Sequence, residues 1–592
     1  MSEGRRGEIV LFGSALALRL VWATDLLRNP FLAFPTGDGL FYARQAARIA
    51  SGSLIGSELS YPSSPLYPYL IAPFIALPGR SGFLAIAVLQ AILDAASALL
   101  VRRTASSLFG AAAGWIAGIA WAGYGTAVFF ASDAVEATTA TFFANLALFL
   151  LIVPARGDGA REDGGSRRRA EGASAASPRR SLFAGAWFGT AALLRPHFLV
   201  LLPLAAVLLL RGVPRRAALR GAASFGAGAA LLLGLSLARN LAISGEPILV
   251  SPHSGLNAYL GNRRGANGYL TFPAGVGLRN DMDLREAARL YPEAAAGRSL
   301  SERDLSRFWW RETVREVLSD PAAWSLLMAR KLRLFWSSYE APNHLDFYFF
   351  RESSIALAIA AVPFGLIAPT ALLGAGLVFA GALRGRGAIA VALLALAYSG
   401  VCAAFFIADR FRLPATGWIV ILASGGVSWI LRAASGGRGA RAAVAGLLVA
   451  ALALALRVPP PPSHGAREHV MLAAALAGRG RTGEAERMLR RAVEIDPASS
   501  VARFNLGRLL ASSGREAEGE EALKEAVRLA PDFAAAHAAL GDLAARSGRE
   551  GADTEARRSY ERALGLEPYG PEADRIRNLL SGAGGNVPGP GR

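Results

Sequence analysis

The chain has 592 residues, 53% hydrophobic and 18% charged, with a mean hydropathy of +0.34 and a formal net charge of +18. That balance excludes an ordinary soluble globular protein and indicates a polytopic membrane protein. The lone Cys402 excludes a disulfide framework or a cysteine metal site within one chain. The arginine excess, beside just Lys331 and Lys524, fits cytoplasmic loops, and no aromatic-basic motif points to nucleic acid.

A bilayer core needs about 20 apolar residues per helix. Apolar runs predict spans near 8–27, 83–101, 108–130, 134–153, 182–194, 197–210, 221–243, 354–383, 388–407, 414–431 and 440–457, about eleven in all. The first, after "MSEGRRGEIV", reads as a retained helix rather than a cleaved signal. Residues 182–210 read as a short hairpin with Arg195-Pro196-His197 at its tip. Arginine clusters at 5–6, 102–103, 156–180, 211–220, 384–386 and 432–441 fall on one side if the spans alternate, and the positive-inside rule makes that side cytoplasmic. Residues 28–82, 131–133, 244–353, 408–413 and everything after 457 are then outside. The expected location is a bacterial inner membrane, with the N-terminus cytoplasmic. Residues 155–181, rich in Gly, Ser, Ala and Arg, read as a cytoplasmic linker.

The expected domains are a membrane domain at 1–457, a Pro-rich spacer at 458–465, a helical repeat array at 466–580 and a disordered tail at 581–592. In the array, "AERMLRRAVEIDP", "GEEALKEAVRLAP" and "ARRSYERALGLEP" end on Pro497, Pro531 and Pro568, spaced 34 and 37 residues apart. The first spacing is the tetratricopeptide period. Gly507 and Gly541 occupy the small position of close helix packing, Ala492, Ala526 and Ala563 another, and Leu489, Leu523 and Tyr560 a large one. A groove for a protein or peptide partner and a partnerless spacer both remain open.

Several polar residues fall at the predicted outer level. In "FPTGDGLFYARQAARIASG", Asp38 opens a helix whose Arg44 and Arg48 share one face and whose Leu40, Ala43, Ala47 and Ala50 share another. The plain reading is a helix cap on an interfacial helix. In "SDAVEA", Asp133 and Glu136 lie on one helix face at the start of the fourth span, as caps or as functional carboxylates. Arg195 either snorkels or holds a phosphate in the fork of its guanidinium. Arg239 and Asn240 end the seventh span, and His253 lies in a Gly/Asn-rich outer loop. "DRFRLP" puts Asp409, Arg410 and Arg412 outside, where an isolated ion pair is usually surface decoration.

Taken in order, "TGDGLFYARQAARIASG", "SSPLYPYLIAPF", "SDAVEA", "LLRPHF", "ARNLAISGEPILVSPHSGLNAYLGN", "ARKLRLFWSSYE" and "DRFRLPA" resemble the GT-C superfamily of polytopic glycosyltransferases. Within it, the chain is similar to bacterial members of glycosyltransferase family 39, related to protein O-mannosyltransferases and the lipid A aminoarabinose transferase. The resemblance covers roughly residues 8–430 and implies an all-α fold, a GT-C-like membrane bundle followed by an α-solenoid of about three repeats. It implies an inverting transfer of sugar from a polyprenyl-phosphate donor to an envelope acceptor at the outer face. The resemblance implies that an acidic residue in the first outer loop is the catalytic base or helps to position the acceptor, and Asp38 stands there. Many members have two adjacent acids; here the neighbour is Gly39, so Asp133 or Glu136 is expected to supply the second. Arg195 and Arg239, then Lys331 and Arg410, are candidates for the leaving phosphate, with Asn240 beside them and His253 orienting substrate or serving structure. One or two outer carboxylates leave room for a divalent cation, though no ligand spacing demands one. The alternatives are an O-antigen ligase-like or polymerase-like enzyme and a noncatalytic scaffold presenting the repeats.

Overall fold

The computed structural model describes residues 3–27, 37–55, 64–153, 177–210, 214–270, 281–343, 345–384, 386–460, 464–568 and 572–581. The expected linker core, part of the spacer, stretches of the first and the large outer loops, and nearly all of the tail lie outside these residues. The described chain is all α-helical, and no strand forms; a lone bridge joins Tyr124 and Val362.

Contacts divide the chain into two compact units, Met1–Leu270 with Glu312–Asn343 and Phe350–Pro459, and Thr271–Arg311 with His344–Phe349 and Pro460–Arg592. In the first unit, Glu3–Asp25, Ser81–Phe109, Arg215–Ser244 and Asp409–Ser435 are long and apolar enough to cross a membrane. Six shorter apolar helices, including Ala111–Ala122, Ala137–Ile152 and Phe364–Phe379, accompany them. Small residues let these helices approach closely where no hydrophobic effect drives them together. A Cβ on Gly185 would lie 1.9 Å from the Phe225 carbonyl oxygen, and one on Gly228 2.1 Å from that of Leu182, so the helices Pro178–Leu194 and Arg215–Ser244 cross backbone to backbone.

The expected third span at 108–130 is not one helix. It breaks at Gly110, whose φ of 95° suits only glycine, and again after Ala122, leaving a short buried helix Gly125–Phe130. Asp133 therefore sits in a turn, and Glu136 is the N-cap of Ala137–Ile152 rather than a neighbour of Asp133 on a helix face. The last long helix starts at Asp409, five residues before the predicted span, and buries Asp409, Arg410 and Arg412. That overturns their reading as surface decoration.

The helix Gly37–Ala50 forms as expected but turns a different face inward. Tyr42, Ala46 and Ile49 pack with Tyr67, Ile71 and Ile86, while Leu40, Ala47 and Ala50 are exposed with Arg44 and Arg48. Packing an aromatic ring outweighs the small-residue stripe, because a buried ring removes far more apolar area from water.

In the second unit, Ala466–Ala477 pairs with Thr482–Ile495, Ser500–Ser512 with Glu516–Leu529, and Ala534–Ser547 with Ala552–Leu566; Ala573–Leu580 closes the array. A Cβ on Gly507 would lie 2.8 Å from the Gly519 carbonyl oxygen, and one on Gly541 2.7 Å from the Tyr560 ring. Leu489, Leu523 and Tyr560 are buried, as are Ala492, Ala526 and Ala563, as the repeat pattern predicts.

Candidate active site

Four separate helix ends converge in the first unit. Asp38 enters on the first turn of Gly37–Ala50 and Glu136 at the N-cap of Ala137–Ile152. Arg195 is the extended residue (φ −139°, ψ 102°) that ends Pro178–Leu194, and Arg410 lies in the first turn of Asp409–Ser435. Each carboxylate has a guanidinium: Arg410 Nη2 lies 2.5 Å from Asp38 Oδ2, and Arg195 Nη2 2.8 Å from Glu136 Oε1. Asp38 is thus not merely a helix cap.

The two pairs form one cluster. Glu136 and Tyr42 lie within electrostatic reach of the Arg410 guanidinium. Phe411 faces both arginines, with Arg195 Cζ 4.7 Å and Arg410 Cζ 5.1 Å from its ring centre. His197, which the sequence reading passed over, packs on the same ring at 5.5 Å. Asp133 joins through its backbone, because Gln90 Nε2 donates to its carbonyl at 2.7 Å, and Tyr67 Oη donates to Gln90 Oε1 at 3.4 Å. Burial, then the charges of Glu136 and Asp133, pushes the Tyr67 phenol well above its ordinary pKa. Asp409 anchors the helix start by accepting the Arg410 amide at 2.6 Å.

Polar capacity is left over. Arg410 Nε and Nη1, Arg195 Nε and Glu136 Oε2 are buried and make no hydrogen bond with the described residues. Such groups cost free energy unless a ligand or water satisfies them. Chemically, two guanidiniums with unused N–H groups suit a phosphate, and the carboxylates beside them suit proton transfer. No three His, Cys, Asp or Glu side chains gather as a metal site among the described residues.

The other candidates have different neighbours. Arg239 donates to Tyr69 Oη at 3.2 Å and to Asn240 Oδ1 at 2.8 Å, and Asn240 Nδ2 donates to the Ile248 carbonyl at 2.8 Å. His253 is the N-cap of Ser254–Asn262, without a side-chain cap bond. Lys331 is buried in the helix Pro321–Phe335 and donates to Asn262 Oδ1 at 2.9 Å. Arg412 braces the end of that helix and the residues after it through the Phe335, Ser337 and Tyr339 carbonyls and Glu340.

Residues 476–543 match the tetratricopeptide repeat family model. This segment is a tetratricopeptide array. No curated protein matches the chain in sequence. Among solved structures, the chain is similar to ArnT from Cupriavidus metallidurans bound to undecaprenyl phosphate, at 15% identity and TM-score 0.38, covering 91% of this chain and 80% of that one. It is also similar to the archaeal oligosaccharyltransferase AglB from Archaeoglobus fulgidus in complex with an inhibitory peptide and a dolichol-phosphate, at 14% identity and TM-score 0.38, covering 80% of this chain. The chain spans 58% of that enzyme's length. MamA, at 19% identity and TM-score 0.17, overlaps 24% of this chain and 75% of its own length.

Proposed function

We propose that the chain is a membrane glycosyltransferase that moves a sugar from a polyprenyl phosphate to an envelope acceptor. The carrier is of the same class as the undecaprenyl phosphate and dolichol-phosphate named with two of the solved structures above. The observation that supports this reading is the cluster of two carboxylate–guanidinium pairs, Asp38–Arg410 and Glu136–Arg195, with unused donors on both arginines.

In the proposed reaction, the phosphate of the donor takes the open N–H groups of Arg410 and Arg195. The acceptor hydroxyl oxygen attacks the anomeric carbon from the face opposite the phosphate. Its proton passes to Asp38, the bond from anomeric carbon to phosphate oxygen breaks, and the electron pair leaves on the polyprenyl phosphate. One displacement inverts the anomeric centre. A positioned base contributes about 10² to 10⁴-fold, and fixed cations at the leaving oxygen about 10² to 10³-fold each. Glu136 holds Arg195 in place and balances its charge at a depth where an unpaired ion is costly. Asp133 supplies a second outer carboxylate, Arg239 and Lys331 are further candidates for the donor phosphate with Asn240 and His253 as substrate-binding candidates beside them, and a divalent cation stays outside the scheme.

The proposed membrane domain spans 1–457, with the cluster at the extracytoplasmic level of a bacterial inner membrane and the repeats on that same side. The proposed role of the repeats is to hold a protein or peptide partner. Mass spectrometry of envelope glycans tests the reaction class. A strain lacking the gene should lose one sugar substituent and regain it with the wild-type chain; an unchanged glycan profile contradicts the proposal.

A further inference from the structure

An arginine and an aspartate with no exposed surface lie inside predicted spans, away from the cluster. Arg19 sits in the helix Glu3–Leu27 and Asp94 in Ser81–Phe109, with Arg19 Nε 2.5 Å from Asp94 Oδ2. An ion pair in hydrocarbon is expensive and needs a reason. The reason lies in the remaining N–H groups. Arg19 Nη1 donates to the Ala122 carbonyl at 2.9 Å and the Ala15 carbonyl at 3.1 Å, and Nη2 to the Trp121 carbonyl at 3.3 Å. Trp121 and Ala122 are where the third span breaks; the Trp121 carbonyl also accepts the Tyr124 amide at 3.2 Å, while the Ala122 carbonyl is one that a helix end leaves without an intrahelical donor. One turn further along the same helix, Trp22 Nε1 donates to the Phe129 carbonyl at 2.9 Å, at the end of Gly125–Phe130.

Both ends of the buried segment 121–130 are thus held by the first helix. Its exit is the turn that carries Asp133 and leads to Glu136, and Gln90, one turn from Asp94 on the second long helix, clasps the Asp133 carbonyl. We propose that Arg19, with Trp22, is a positioning residue: it caps the broken span and thereby sets the height and direction of the turn 131–136 against Arg195 and Arg410. Lysine at position 19 keeps the charge opposite Asp94 but has no planar fork to reach Asp94 and two further carbonyls at once. The inference rests on the proposed transfer reaction for its kinetic consequence, though not for its structural one.

The test uses the intact protein in detergent micelles and reads amide hydrogen exchange together with donor kinetics. Three variants separate charge from capping: Arg19→Lys, Trp22→Phe, and the double change Arg19→Met with Asp94→Asn, which removes both buried charges so that neither is stranded. Expected are faster exchange confined to 121–136 in all three and, for Arg19→Lys, a kcat lowered about 10²-fold with the donor KM within about threefold of wild type, the signature of a misplaced reacting group. Wild-type exchange across 121–136 in the double variant overturns the capping role. Exchange raised over the whole membrane unit also overturns it, because the pair then merely holds the fold. A wild-type chain that transfers no sugar refutes the proposed function instead, and the exchange pattern still decides the positioning claim.

Discussion

Arg410 contacts Asp38 across 372 residues of sequence, guanidinium nitrogen to carboxylate oxygen at 2.5 Å. Both side chains are mostly buried, at 6% and 16% exposure, so each charge depends on the other for compensation. Removing one partner of a buried pair costs about 3–5 kcal/mol. Arg410→Ala should therefore lower the melting temperature and also reduce sugar transfer by about 10² to 10³-fold. Arg410→Lys should restore most of the melting temperature but little of the transfer, since a lysine cannot serve Asp38 and a phosphate together. Equal recovery of both would mean that Arg410 is structural.

Glu136 has no exposed surface and is paired with Arg195. Glu136→Gln keeps the shape and removes the charge. The Arg195 side chain then has freedom to leave the cluster, and kcat should fall by about 10 to 100-fold. Stopped-time transfer assays over a donor range check this; a change in donor KM alone would show that Glu136 serves binding and not the reacting geometry.

Lys331 lies outside the predicted spans, and burial lowers its amine from 10.5 to about 7. Between those values, the unfolded chain carries the proton and the folded chain does not, so stability rises with pH through that window. Below pH 7 the folded chain holds the charge too, and the full burial penalty remains. Melting curves in detergent should show the wild type gaining on Lys331→Met from pH 7 to pH 10. Parallel curves for the two proteins across this range would contradict the burial of the amine.

Gly507 and Gly519 let two repeat helices touch through their backbones. Gly507→Val overpacks that contact and should cost the array about 1–3 kcal/mol. Limited proteolysis of the full chain should cut the repeats at a lower temperature. Transfer should stay close to wild type if the chemistry belongs to the first unit.

Much of the architecture was legible because it is written in local patterns. Runs of apolar residues mark the apolar helices, and prolines spaced 34 and 37 residues apart mark the repeats. Asp38 stood out through the order of motifs around it, since by itself a carboxylate at a helix start reads as a cap. Its pairing with Arg410 was not legible: nothing local in "DRFRLP" says that its first turn is buried, and an ion pair at a span end looks like decoration until distant chain segments are assembled. The broken third span was missed because an apolar run reads as continuous, although Gly110 and the "GYG" at 123–125 were available as punctuation. Arg19 and Asp94 were hidden inside apolar windows that tolerate one charge, and the cue was the ionisable residue itself. His197 escaped because it follows Arg195-Pro196, and only the folded chain brings Phe411 beneath it.

The role assigned to Asp38 is tested most directly by one rate. Asp38→Asn retains the size and most of the polar contact with Arg410 but can no longer take a proton. In vesicles supplied with a synthetic polyprenyl-phosphate sugar and an envelope acceptor, the account predicts normal membrane insertion, donor binding within a few fold of wild type, and turnover reduced by about 10² to 10⁴-fold. Turnover at the wild-type rate in a correctly inserted Asp38→Asn protein would contradict it.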